Sequence, residues 1–152
     1  MMKTGRLPSL SGIPLMVLLC LGLTSCSSMD LTTYREAVEA SLESTLSEAR
    51  TAELAGGLWM DGRATHAVTS VVVSDSEEGV GAESQWFAGQ QPPDARSEDL
   101  RKRTNDALDE ASSAVEELRI AVERSDRDAT RTALAGLRSA TAMVEALAEE
   151  LG

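Results

Sequence analysis

The chain has 152 residues, with 25 acids against 14 Lys and Arg, for a formal net charge of −11. That balance argues against nucleic acid, which needs Lys and Arg clustered on one face, and against lying flat on an anionic lipid surface, which needs basic patches. One histidine, two cysteines and four aromatic residues leave little material for metal, thiol or stacking chemistry.

The N-terminal segment reads as an export signal. Lys3 and Arg6 are the only charges before Asp30, and the residues from Ile13 to Leu23 are almost all apolar. This run is too short to span a bilayer, which takes about 20 apolar residues. A positive start, a short apolar run and small residues at its end are the features of a secretory signal. Leu23-Thr24-Ser25-Cys26 at its end resembles the lipobox of bacterial lipoproteins. The resemblance implies cleavage after residue 25, leaving Cys26 as the first mature residue, thioether-linked to diacylglycerol, with fatty acyl chains of the palmitate kind. The expected partner is membrane lipid held through Cys26, and the expected location is the extracytoplasmic side of the cell membrane. An ordinary secretory signal with a chance cysteine is the alternative. Cys20 falls within the removed segment, so Cys26 has no disulfide partner in the mature chain. Loss of residues 1–25 removes Lys3 and Arg6 and no acid, leaving 12 bases, 25 acids and a charge of −13. The expected organisation is signal 1–25, lipidated cysteine and tether 26–32, and one acidic domain over 33–152.

Thr33 and Glu36 have the spacing of a capping box, in which two side chains satisfy free amides at a helix start. Tyr34, Val38, Leu42, Leu46 and Ala49 recur at three and four, a helical stripe. Gly56-Gly57 reads as its stop, which places the first helix at about 33–55. In residues 66–75 the run Val71-Val72-Val73 favours a strand, and Gln85-Trp86-Phe87-Ala88 reads as a second arm pairing back on it. An irregular helix extension over 64–74 is the competing assignment. Pro92-Pro93 end this segment. From Ser97 the pattern is strongly helical, with a stripe from Leu100 to Val122 and another from Thr130 to Leu151. Glu98 with Lys102 and Asp99 with Arg103 have the acid-first spacing of helical ion pairs. Ser125 reads as the cap of a new helix, with Asp126 and Asp128 near its positive end. The spacing therefore predicts helices at 98–124 and 127–151 folded back on each other, in preference to one long helix. The expected fold is mainly α, an antiparallel three-helix bundle with a small β-hairpin between helices one and two, or α+β if that hairpin is substantial.

The search for chemistry returns little. His66 has no second soft ligand beside it, and zinc sites combine several. Asp75, Glu77, Glu78 and Glu83 lack the ligand spacing of a calcium loop. The adjacent acids Asp109-Glu110, Glu116-Glu117 and Glu149-Glu150 cannot face one another across a cleft as paired catalytic carboxylates must. No catalytic residue, metal site or cofactor is expected, and the chain reads as a non-enzyme. Two function classes remain. One is an envelope interaction or structural lipoprotein that meets a protein partner or a second copy of itself. The other is a small-ligand module whose pocket is lined by Tyr34, Trp59, Trp86 and Phe87. An enclosed aromatic cavity would favour the second, and a solid core with an exposed apolar stripe the first.

Overall fold

The structure, a computed structural model, describes residues 29–151. Four helices account for most of them: α1 Leu31–Met60, α2 His66–Ala88, α3 Glu98–Glu123 and α4 Arg127–Leu151. Each helix packs against the one before it, and α4 closes the ring against α1. The result is a four-helix bundle, with no strand among the described residues. The expectation of three helices and a hairpin is therefore overturned: the segment read as two strands is a single helix, α2.

The reason lies in which α2 residues are buried. Thr69, Val73, Ser76, Val80 and Phe87 recur at helical spacing and face the core. Two of those five are hydroxyl residues, so a scan for apolar side chains alone misses the period. The β-branched run is split by the helix rather than lined up by a strand. Val73 is fully buried while Val71 is 60% exposed. Thr65 opens α2, its side-chain oxygen accepting from the Val68 amide at 3.4 Å.

The first helix differs from expectation at both ends. Its N-cap is Asp30, whose Oδ1 accepts from the Thr33 amide at 2.9 Å, in place of the Thr33–Glu36 box. At the other end α1 runs through Gly56-Gly57 to Met60. Gly56 is buried against α3 and α4, where a Cβ would lie 3.1 Å from Leu134 Cδ2 and 3.3 Å from Leu118 Cδ1. The residue that stops the helix is Gly62, with φ +72°. Its amide donates to the Trp59 carbonyl and the Arg63 amide to the Leu58 carbonyl, the paired bonds of a Schellman ending.

The fold-back of α3 on α4 agrees with the sequence reading, but by a different device. Ser125 does not cap α4; it takes the left-handed conformation, φ 53°, and closes the same kind of ending on α3. Its amide donates to Val122 and that of Asp126 to Ala121. Asp126 is the cap, its carboxylate accepting from the Asp128 and Ala129 amides at 3.1 and 3.0 Å.

The core runs along the bundle axis. Leu42, Leu108, Leu118 and Leu137 are fully buried, among many alanines; each leucine contributes roughly 1.5–3 kcal/mol by leaving water. Alanine and Gly56 contribute little area but let α1 approach α3 across the diagonal, a contact that α2 and α4 do not make. Hydroxyls are threaded through this interior: those of Thr45, Thr69, Ser76, Thr104 and Thr141 have no hydrogen-bond partner among the described residues.

Candidate functional site

Cys26, the expected lipid attachment residue, lies outside the described residues, as does the whole of 1–28. The described chain begins at Met29, which packs partly against the core, and Asp30 then opens α1. Only three residues stand between Cys26 and that cap. Among the described residues no helix is long and apolar enough to cross a membrane.

The four residues expected to line a ligand pocket do not converge. Tyr34 and Phe87 pack on each other inside the bundle, ring centroids 6.2 Å apart. Trp59 lies at the other end of α1, about 37 Å from Tyr34 at 1.5 Å per residue. There its ring meets His66 edge-on at 5.8 Å, and Arg127 lies over it at 5.3 Å. Trp86 points outward, 49% exposed. Burial holds the Tyr34 hydroxyl above the ordinary tyrosine range. A shallow groove of about 520 Å³ runs between α3 and α4, floored by Ala107 and Leu147 with the Arg103–Glu150 pair at its rim. It is open along its length and has no convergent set of polar groups of the kind that orients a small ligand.

His66 is the first residue of α2 and is exposed at the helix start. Its Nε2 lies 2.8 Å from the Val122 carbonyl in the last turn of α3, an oxygen that also accepts from the Ser125 amide. It ties two helix ends together. Among the described residues no group of three His, Cys, Asp or Glu side chains is placed to hold a metal ion. The acids once weighed as calcium ligands part company. Glu77 pairs with Arg119 of α3, Glu83 accepts from Ser41 Oγ of α1 at 2.5 Å, and Asp75 and Glu78 face solvent. Arg119 also bonds Glu123, and the two carboxylates hold its guanidinium firmly protonated. The expected Glu98–Lys102 and Asp99–Arg103 pairs are replaced by Glu98–Arg101, Lys102–Asp106 and Arg103–Glu150.

What the sequence reading missed is the outward face of α2. Val68 and Val71 are 58% and 60% exposed and, with Trp86, share the side of the helix turned away from Val73, Val80 and Phe87. Asp75, Glu78 and Ala82 lie between them and are exposed. The stripe 68, 71, 75, 78, 82, 86 has helical spacing, so it was detectable once α2 is known to be a helix. No Lys or Arg occurs between Arg63 and Arg96.

Comparison with protein-family models, curated proteins and solved structures finds no match.

Proposed function

We propose that this chain is a lipid-anchored envelope protein whose helical bundle works by contact with another macromolecule on the extracytoplasmic side of the cell membrane. The observation that carries this reading is Cys26 at the end of Leu23-Thr24-Ser25, after a short apolar run with a positive start. The rest of the chain is compatible with such an anchor, because α1 begins within a few residues of Cys26 and so leaves a short tether. Two or three acyl chains hold a protein stably, where one gives only marginal attachment. The acidic surface suits a domain held off an anionic membrane.

The alternative, a small-ligand module, is less well supported. Its four lining aromatics are divided between the core, one bundle end and the solvent, and the exposed apolar stripe is the feature expected of a protein that meets a partner. The anchor is tested by mass spectrometry of the detergent-extracted chain. Cys26 should carry diacylglycerol at a newly formed N-terminus, and Cys26→Ala should abolish both lipid and cleavage at that position. An unmodified Cys26, or cleavage well away from it, removes the lipoprotein reading.

A further inference from the structure

A helix at the surface of a bundle ordinarily has one apolar stripe and one polar face. By that standard α2 has one apolar stripe covered by the bundle and an opposite face that mixes Val68, Val71, Ala82 and Trp86 with Asp75 and Glu78. Val73, Val80 and Phe87 point inward and are fully buried, while Val68, Val71 and Trp86 point outward and are each about half exposed or more. The outward stripe runs from residue 68 to 86, about 27 Å at 1.5 Å per residue. Tryptophan is enriched among the residues that dominate binding energy at interfaces, and a face with Trp86 at one end, two valines at the other and acids between is suited to helix-on-helix packing.

We infer that this face of α2 docks an amphipathic helix of a partner protein that carries Lys or Arg beside its apolar stripe. The charge of this face selects that occupant. Asp75 and Glu78 lie within the stripe, and neither forms an ion pair among the described residues. The 32 residues between Arg63 and Arg96 hold five acids and no Lys or Arg. A second copy of the chain meeting this face across a two-fold axis would set the same acids against one another. An anionic bilayer surface would be repelled for the same reason. A cationic helix supplies both the missing counter-charge and the apolar cover. The inference rests on the interaction reading above and gives it a surface and a partner chemistry.

The test is photo-crosslinking in the cells that naturally make the chain, with p-benzoylphenylalanine in place of Val71 in the full-length protein. The same residue in place of the exposed Ser139 on α4 serves as the comparison. Adducts are digested and the joined peptide is sequenced by mass spectrometry. The expected result is a discrete adduct from position 71, absent from position 139, whose partner peptide has apolar residues at helical spacing flanked by Lys or Arg. Reversing the charge with Asp75→Lys and Glu78→Lys should cut its yield at least tenfold while leaving the circular dichroism and thermal midpoint unchanged. An adduct to a second copy, to lipid or to an acidic peptide would overturn the inference. So would the lack of any adduct in cells where Cys26 is shown to be acylated. The mass of Cys26 in the same preparation reports on the anchor separately, so loss of the anchor and loss of the docking face give different results.

Discussion

A methyl group added at Gly56 would meet two leucine side chains at 3.1 and 3.3 Å, whereas one added at Gly81 would meet nothing within 4 Å. Both glycines lie inside helices, where alanine is favoured by about 1 kcal/mol through backbone entropy. Gly81→Ala should therefore raise stability by up to about 1 kcal/mol, and Gly56→Ala should gain nothing or lose, because Leu118 and Leu134 are packed and cannot move freely. Urea unfolding of the two variants checks this; equal gains would mean that α1 does not approach α3 and α4 as closely as described. Three carboxylates contribute to the acid response. The Thr33 amide lowers the Asp30 pKa, the Ser97 hydroxyl and amide lower that of Asp94, and the Arg103 guanidinium lowers that of Glu150. A carboxyl with a depressed folded-state pKa stabilises above its unfolded value, near 4, and that contribution is lost as pH falls through the folded value. Stability should thus decline below about pH 4, and the triple variant Asp30→Asn, Asp94→Asn, Glu150→Gln should decline less. Thermal midpoints measured from pH 7 to pH 2 would show a shallower slope for the variant, and parallel slopes would contradict this assignment.

At the scale of elements, α3 and α4 were legible because their apolar residues keep to three-and-four spacing and their other faces are charged. Leu118 and Leu137, which fall on those two stripes, are fully buried. The turn between them is also checkable. Spin labels at the exposed residues 113 and 139 should be within about 20 Å, given helix axes 8–10 Å apart. One continuous helix would hold them about 39 Å apart at 1.5 Å per residue, and that distance would remove the bundle. For α2 the same spacing rule works only if Thr69 and Ser76 are counted as inside and Val68 and Val71 as outside, which inverts the usual assignment by polarity. The glycine punctuation was misread for a related reason. Gly56-Gly57 looks like a stop, but Gly62 has the positive φ and closes the Schellman ending, while Gly56 is needed for close helix approach.

Across the whole molecule the two tryptophans report the arrangement independently. Trp59 is 8% exposed and Trp86 49%. In Trp59→Phe, where Trp86 alone emits, fluorescence should be red-shifted and strongly quenched by acrylamide. In Trp86→Phe it should be bluer and several-fold less quenched. Similar quenching in both would mean that Trp86 is covered, either within the fold or by self-association, and sedimentation separates those cases. The unpartnered interior hydroxyls and the alanine-rich core belong to this scale too. Removing a hydroxyl from water without a partner is unfavourable, so a core containing several such groups draws less stability from burial than an all-leucine bundle of equal length.

The sequence by itself determined the acidic charge, the short apolar run before Cys26, the helical character of 33–55, 98–124 and 127–151, and the reversal near Ser125. Those features are local: charge, periodicity and turn chemistry act within a few residues of the chain. Only the tertiary structure decided that 66–88 is a fourth helix, that Gly56 is a contact and Gly62 the stop, and that Val68, Val71 and Trp86 are left outside. Each of those depends on what the neighbouring helices cover. Intrinsic preference distinguishes helix from strand by about 1 kcal/mol or less per residue, and burial of Val73, Val80 and Phe87 against α1 and α3 outweighs the preference of three valines for a strand.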